Sequence, residues 1–378
     1  PMFEAIDAVW AAGKIPLWNP YCNFGIPVVA DGTSSVFYPG KFIFLARFLS
    51  YPSRYGIYLS MHVLLAAVGT YWMARFFKCN RAGATLSAVS YAFGGPVVFQ
   101  VTNVIYLVSA AWLPIALVCI WKLLATRRLG WSIAGGAVCA MMILGGDPQM
   151  VYHVGLIAIA SIVWQLVMRR RLKVGIGQLA SLVIMVVVTS MLAAVQLLPS
   201  ADLTARSERS AGDRVVNLYS CLADSDRLAD GLAQLLKNED AIVGQYQFSL
   251  APWSIAEMLA PNISGRPFPQ NSRWVDSLAA ADRMWYPSLY IGLVVVSLAA
   301  TKFRLWGRDA RSVWLSRVLI VFLLGAFGWY GLVWAWREIF GAAVVDGEAW
   351  AAPVGGVYWW MSVGLPKYFV FRYPAKLF

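Results

Sequence analysis

Charged residues are scarce in this chain of 378 residues, and histidine occurs only twice. Asp, Glu, Lys and Arg make up 13% of the residues, about half the fraction found in soluble domains. Hydrophobic residues account for 60%, and the mean hydropathy is +0.62. This composition excludes an ordinary soluble globular protein and predicts a membrane protein.

Several kinds of catalytic site are missing from the sequence. It has no glycine-rich phosphate loop, no dinucleotide-binding glycine pattern, no zinc spacing and no recognisable Ser/His/Asp set. Two of the five cysteines, Cys22 and Cys221, are predicted to lie outside the membrane, where a disulfide is chemically allowed. The sequence leaves open whether these two pair or remain small apolar residues.

Apolar stretches of membrane-spanning length dominate the chain, and at least eight can be marked off. The second contains Gly94-Gly95-Pro96 and the third contains Pro114, which predicts kinks or breaks because proline removes a backbone donor. Such breaks either border a cavity near the outer leaflet or only help the helices to pack. The predicted spans are 55–77, 83–101, 104–125, 130–146, 148–167, 174–199, 286–303 and 316–336.

The loops joining these stretches alternate between basic and nearly uncharged. One orientation places every basic loop on the same side, which the positive-inside rule makes the cytoplasm. Every acidic residue except Asp309 then lies on the outer side, so we expect any chemistry there. The net charge of +12 is thus attributed to topology and anionic lipid, with no nucleic-acid partner. The basic loops contain Arg75, Lys78 and Arg81; Lys122, Arg127 and Arg128; Arg169, Arg170, Arg171 and Lys173; and Lys302, Arg304, Arg308, Arg311 and Arg317.

The predicted fold class is an all-α polytopic membrane protein with an extracytoplasmic loop elaboration. Because its first segment is assigned outside and its last lacks a final span, we expect the sequence to be part of a longer protein. A short apolar helix at 42–49 is predicted to be interfacial or re-entrant. The predicted divisions are a first outer loop at 1–54, a six-span core at 55–199, an extracytoplasmic region at 200–285, two spans at 286–336 and an outer segment at 337–378.

The two histidines both fall in predicted spans, where an ionisable side chain is a functional candidate by default. His153 lies just inside the outer end of its span and is a candidate for substrate binding, with a core role as the alternative. His62 is predicted to be a core residue whose hydrogen bonds are satisfied.

The first outer motif runs from Gly13 through the letters KIPLWNPY to Phe37-Tyr38-Pro39. So many prolines and glycines around aromatic and amide side chains predict a fixed, non-helical loop against the membrane surface. A loop of this kind can position catalytic groups in advance, or it can simply cap a helical bundle.

The second motif is Gly145-Gly146-Asp147-Pro148-Gln149, in a tight turn between two predicted spans. Its carboxylate lies at the outer end of one helix and the start of the next. Asp followed by Pro is a common helix start, so the motif alone favours a plain N-cap.

The third motif, residues 371–376, places Arg372 and Lys376 beside aromatic residues at the predicted outer interface. The pair suits a lipid phosphate, because Arg offers a forked set of donors and Lys a point charge. Generic interfacial anchoring explains the pattern equally well.

Taken in order, these motifs resemble the YfhO-type bacterial membrane proteins of the GT-C glycosyltransferase superfamily. The resemblance implies an enzyme that moves a sugar from a polyprenyl-phosphate carrier to an envelope polymer, lipid or protein. Transfer would occur on the outer face of the bacterial cytoplasmic membrane. The matching segments are the outer run GKIPLWNPYCNFGIPVVAD with FYP, AWLPIAL at 111–117, GGDPQMVYH at 145–153, YPSLYIGL at 286–293 and FRYPAKL at 371–377.

In that superfamily an acidic residue in the first outer loop acts as general base on the acceptor hydroxyl. The resemblance implies that this acid and the first span lie upstream of Pro1, whereas Glu4 and Asp7 look like surface residues of a helix. Asp147 stands where histidine is expected in many relatives, so it could orient the acceptor or help to hold a divalent cation.

The resemblance also implies roles for residues within this sequence. The leaving phosphate needs cationic or metal stabilisation, and the lipid-linked sugar is itself the donor substrate. The implied accessory acids are Asp31 and Asp147, the substrate contacts are Asn19, Gln149 and His153, and the donor-phosphate ligands are Arg372 and Lys376. A transporter or flippase for a lipid-linked saccharide, or a non-catalytic assembly protein, remains an alternative.

Overall fold

The chain folds into two compact units, Pro1–Ser210 and Ala211–Phe378. The computed structural model is mostly helical, with two short antiparallel hairpins among its described residues. The structure describes residues 2–20, 25–169, 172–206, 217–223, 228–237, 245–266, 270, 272–274, 286–341, 344–345 and 348–378.

The first unit is a helical bundle preceded by a long capping segment. Four of its helices, α2, α5, α7 and α8 in the order below, are long and apolar enough to cross a membrane. The bent pair Arg81–Ala92 and Gly95–Thr102 makes a fifth if it counts as one span. The chain is therefore a multi-pass helical membrane protein. The helices are α1 Met2–Ala11, α2 Tyr51–Phe76, α3 Arg81–Ala92, α4 Gly95–Val98, α5 Val104–Thr126, α6 Leu129–Leu144, α7 Pro148–Arg169 and α8 Leu172–Ala205.

The predicted break at Gly94-Gly95-Pro96 is confirmed. α3 ends at Ala92, and the next helical segment leaves it at an angle of 45°. Pro96 lies in the first turn of α4, where a backbone N–H would have no partner within the helix, so its absence does not destabilise α4. The same residue prevents α3 from continuing as one unbroken helix. Pro114, in contrast, lies inside an uninterrupted α5.

The second unit contains shorter helices around a core that includes Cys221, Leu235, Val333 and Trp359. The described part of the chain does not confirm eight spans, since α11, Leu293–Lys302, and α12, Ala310–Ala326, have only 10 and 17 residues. The predicted span at 316–336 is divided, because Gly328 has a φ of +48° just beyond the end of α12. The elements are α9 Leu218–Ala223, α10 Leu228–Lys237, α11 Leu293–Lys302, α12 Ala310–Ala326, α13 Leu332–Phe340, β3 Val344–Val345, β4 Glu348–Ala349 and α14 Val357–Gly364.

The loops of the first unit lie at the two opposite ends of its helical bundle. At the basic end, the Gln178 amide donates to the Leu124 carbonyl at 2.8 Å, which joins the start of α8 to the end of α5. At the opposite end, called the capped end below, the Ser35 hydroxyl donates to the Gly145 carbonyl at 2.8 Å. Within the first unit, the basic and uncharged loops therefore lie at opposite ends of the bundle, as their alternation predicts.

The described residues of the capping segment, 12–20 and 25–50, contain no α-helix, in agreement with the predicted non-helical loop. A hairpin joins β1, Trp18–Asn19, to β2, Ile26–Pro27, and two 3-10 helices follow at Gly32–Ser34 and Pro39–Leu45. The short helix predicted at 42–49 is thus a 3-10 helix that begins and ends earlier.

Asp7 is buried, so its prediction as a surface residue of α1 is wrong. Its carboxylate accepts two hydrogen bonds from the Arg54 guanidinium, at 2.9 and 3.2 Å, and pairs with Arg47 at 2.9 Å. Arg54 also donates to the Phe44 carbonyl. The pairing turns Asp7 inward and fastens α1 to the capping segment and the first turn of α2.

We expect Arg54→Met to destabilise the first unit strongly. Removing one partner of a buried ion pair leaves the other charge unsatisfied, at a cost of about 3–5 kcal/mol. Thermal unfolding of the detergent-solubilised protein measures the change. The matched control is Arg206→Met, since Arg206 and Asp202 are 77% and 62% exposed in their pair and exposed pairs contribute at most about 1 kcal/mol. Equal melting temperatures for the two variants would contradict the structural role of Arg54.

Candidate functional site

Three polar side chains are buried at the N-cap and in the first two turns of α7, at the capped end. Asp147, Gln149 and His153 are each at most 2% exposed. Gln149 and His153 are four residues apart and therefore share one face of the helix. The predicted N-cap is also confirmed, since Asp147 Oδ1 accepts from the backbone N–H of Met150 at 3.3 Å. The structure thus brings these candidates together, as a carboxylate, an amide and an imidazole beneath the capping segment.

Two glycines allow the capping segment to lie directly on this turn. Gly146 has a φ of +101°, and a Cβ there would stand 2.7 Å from the Gly32 carbonyl oxygen. The neighbouring Gly145 carbonyl accepts the Ser35 hydroxyl described above. The Gly32–Ser35 turn therefore rests against residues 145–147 with no room for a side chain between them.

Asp31 begins the same turn and is partly exposed. Its carboxylate accepts from the Thr33 backbone N–H at 2.9 Å and from the Thr33 hydroxyl at 2.8 Å. Two hydrogen bonds from one neighbour fix its orientation at the N-cap of the 3-10 helix. Of the two predicted acids, Asp31 is the one that solvent can reach.

Lys41 is a buried cation that the sequence analysis missed. Its ammonium donates to the Ser34 carbonyl. Burial lowers the pKa of Lys41 well below its ordinary value, and the charge of Asp31 opposes that shift. The only available signal was a lysine in the apolar run from Phe37 to Leu45, where a charge needs a specific partner.

The last turns of α8 bind the backbone next to Asp31. The Gln196 amide donates to the Val29 carbonyl at 2.6 Å, and the Ser200 hydroxyl donates to the Ala30 carbonyl at 2.8 Å. These two residues belong to the site as positioning residues. The sequence offered no signal for them, because their partners lie some 170 positions earlier in the chain.

His62 is a satisfied core residue, as predicted. Its Nδ1 donates to the Tyr58 carbonyl at 2.7 Å, so its Nε2 accepts from the Tyr38 hydroxyl, also at 2.7 Å. The Tyr38 oxygen in turn accepts from the Trp112 indole N–H at 2.9 Å. Burial raises the pKa of Tyr38 to about 12, and the Trp112 hydrogen bond opposes the shift. This chain of hydrogen bonds joins the capping segment to α2 and α5.

Asn19 is buried in β1, opposite Ile26 of β2. The neighbouring Trp18 is exposed, and its indole covers Gly25, which has a φ of +111°. The backbone N–H of Val28 donates to the Leu17 carbonyl at 3.0 Å, which extends the hairpin by one further hydrogen bond. Cys22 lies outside the described residues, so a pairing with Cys221 stays a prediction.

The predicted phosphate ligands Arg372 and Lys376 belong to the second unit and differ in exposure. Arg372 is exposed, whereas Lys376 is buried with its ammonium 4.9 Å from the centre of the Tyr373 ring. The backbone N–H of Ala375 donates to the Phe248 carbonyl at 3.1 Å, which holds the segment against the unit. A phosphate from solvent can therefore reach Arg372 directly, but Lys376 only after a rearrangement.

A ready-made metal site is not found in the described part of the chain. No group of three or more His, Cys, Asp or Glu side chains among those residues could hold a metal ion. Among the described residues, Asp147 therefore belongs to no such group, and its predicted contact with a divalent cation stays a prediction.

No family model matches the sequence, and no curated protein or solved structure matches it.

We expect Gly146→Ala to separate the capping segment from α7. A Cβ at Gly146 would meet the Gly32 carbonyl, and alanine is strained at a φ of +101°, so the variant should lose more than about 1 kcal/mol of stability. Thermal unfolding measures the loss. Gly155→Ala is the control on the same helix, because a Cβ there meets nothing within 4 Å. A Gly146→Ala variant as stable as this control would show that the close approach is unimportant.

Proposed function

We propose that this protein is a GT-C-type glycosyltransferase that uses a polyprenyl-phosphate sugar as its donor. It transfers the sugar to an envelope polymer, lipid or protein at the outer face of the bacterial cytoplasmic membrane. In this arrangement the capped end faces outward and the basic end faces the cytoplasm. The bent pair and the shorter apolar helices α6, α11 and α12 then complete eight crossings.

The observation that carries this proposal is the gathering of Asp31, Asp147, Gln149 and His153 at one end of the bundle. Turns far apart in sequence are held in contact by the Ser35–Gly145 hydrogen bond and by the glycine at 146. Polar side chains buried at the end of membrane-spanning helices are costly and mark functional sites by default. The position also suits a substrate whose lipid chain lies in the bilayer and whose sugar lies at its surface.

The reaction needs a carboxylate near the acceptor hydroxyl. As the acceptor oxygen attacks the anomeric carbon, the bond from that carbon to the phosphate oxygen breaks and its electron pair leaves with polyprenyl phosphate. A carboxylate accepts the acceptor proton. Asp31 fits a role as accessory acid that contacts the acceptor, because its side chain is partly exposed and held by Thr33. Asp147 fits a positioning role, because it is buried and caps α7.

The donor needs polar contacts to its sugar and a positive charge at its phosphate. Gln149, His153 and Asn19 supply amide and imidazole groups of the kind that bind sugar hydroxyls. All three are buried, so a sugar contacts them only after a local opening of the capping segment. Arg372 supplies a forked guanidinium that matches two phosphate oxygens, and Lys376 adds charge near it in the chain.

A transporter of lipid-linked saccharides is the second candidate. The 45° break between α3 and α4 favours it, because broken helices at membrane depth border cavities in many transporters. Bond chemistry distinguishes the two functions, since a transferase releases polyprenyl phosphate and a transporter moves its cargo intact.

We expect Asp31→Asn to lower sugar transfer by a factor of about 10 to 100, below the largest effects of acid–base groups. The substitution removes the charge but keeps an acceptor for Thr33. The assay is release of polyprenyl phosphate from a labelled polyprenyl-phosphate sugar in proteoliposomes. Asp202→Asn is the control, because Asp202 is an exposed carboxylate on the same unit. Normal transfer by a stable Asp31→Asn protein would remove Asp31 from the site, and movement of the intact donor without release would favour the transporter.

We expect Arg372→Ala to raise the KM for the donor by a factor of about 10 or more, as for a lost hydrogen bond to a charged group. Its melting temperature should be unchanged, because the side chain is exposed. Steady-state transfer at varied donor concentration gives the KM, and Arg206→Ala serves as the control for loss of an exposed arginine. An unchanged KM would exclude Arg372 as a donor ligand.

A further inference from the structure

The outward face of α13 is apolar along its whole length. Leu332, Trp336, Ile339 and Phe340 are each 54 to 70% exposed. They follow the spacing i, i+4, i+7 and i+8, so they form one continuous stripe on the helix. The rings of Trp336 and Phe340 lie 4.5 Å apart within this stripe. A helix at the surface of a soluble domain has the opposite arrangement, with its polar side outward.

The inner face of α13 is fixed to the second unit. Val333 is buried in the core of that unit, and the Trp334 ring meets Tyr330 edge to face at 4.8 Å. The backbone N–H groups of Val333 and Trp334 donate to the Val354 and Ala352 carbonyls, at 3.2 and 3.0 Å. The helix therefore cannot turn its apolar stripe inward without breaking these contacts.

We propose that α13 lies in the plane of the bilayer interface, with its stripe among the lipid headgroups and upper acyl chains. Nine residues extend over only about 13.5 Å, far short of the roughly 30 Å of a hydrocarbon core. The helix therefore cannot cross, although its first half was predicted to belong to a span. Tryptophan at such a surface favours the interface over the bilayer centre.

Two neighbouring features identify lipid as the occupant. The preceding helix α12 also carries exposed large apolar side chains, at Leu315, Leu319 and Leu324, as a helix in contact with lipid does. Glu338 is exposed but lies on the side of α13 away from Trp336 and Phe340, at about 100° per residue. Its carboxylate can remain in water while the stripe enters lipid, as in other interfacial helices.

A fluorescent label on α13 tests the proposal in lipid nanodiscs. Ile339→Cys places the NBD fluorophore in the stripe, and Glu338→Cys is the matched control one residue away. Both are made with Cys22 and Cys79 replaced by serine, and the protein without an added cysteine gives the blank. Shallow nitroxide lipids should quench the label at 339 about threefold more than at 338, and aqueous iodide should show the reverse order. Each labelled protein is first checked for an unchanged elution volume.

Three results would overturn the interfacial position. Equal quenching of both labels by iodide would place the stripe in water. Stronger quenching at 339 by deep than by shallow nitroxides would place it in the bilayer centre. Protection from both iodide and lipid nitroxides would show that protein, such as a second copy of the chain, covers the stripe. If Ile339→Cys does not fold, Leu332→Cys at the start of the stripe gives the same comparison. The outcome is independent of whether the protein is a transferase or a transporter.

Discussion

The capped end depends on side chains that satisfy backbone carbonyl groups. The capping segment has little regular secondary structure, and a carbonyl without a hydrogen bond near the membrane is costly. Serine, lysine, glutamine and arginine side chains supply the missing donors from α2, α8 and the segment itself. The pairs are Ser34 to Val28, Gln196 to Val29, Ser200 to Ala30, Lys41 to Ser34, Arg54 to Phe44 and Ser35 to Gly145.

These bonds explain why charged groups can be buried beside the candidate site. Lys41 is held by the same turn that orients Asp31, and Arg54 is neutralised by Asp7. Both side chains therefore hold a backbone carbonyl in place, and Arg54 also balances the charge of Asp7. The position of Asp31 relative to α7 follows from packing at Gly146 and from these donors. No single motif determines it.

Hydropathy and charge predicted the helical class, the long helices and the position of the first unit's basic loops at one end of its bundle, because these follow from local composition. The break at Pro96 and the cap at Asp147 were predictable for the same reason. Asp7, Lys41 and Gln196 were not, because their partners are distant in sequence. The division after α12 was missed because the sequence stays apolar through Gly328, so its mean hydropathy does not change there. The positive φ of Gly328 interrupts the helix all the same. The count of eight spans, the roles of the site residues and the activity stay predictions.

The length of α8 connects its exposed C-terminal end to the candidate site. Its 34 residues extend about 51 Å, whereas a helix tilted by 40° needs only about 39 Å to cross the hydrocarbon core. The helix is therefore about two turns longer than the core requires, and the Asp202 side chain is 62% exposed at the end next to Ser200. Gln196 and Ser200 of α8 donate hydrogen bonds to the Val29 and Ala30 carbonyls. Movement of α8 is therefore transmitted to the backbone that precedes Asp31. Any displacement of its C-terminal end must carry the backbone before Asp31 with it or break two hydrogen bonds.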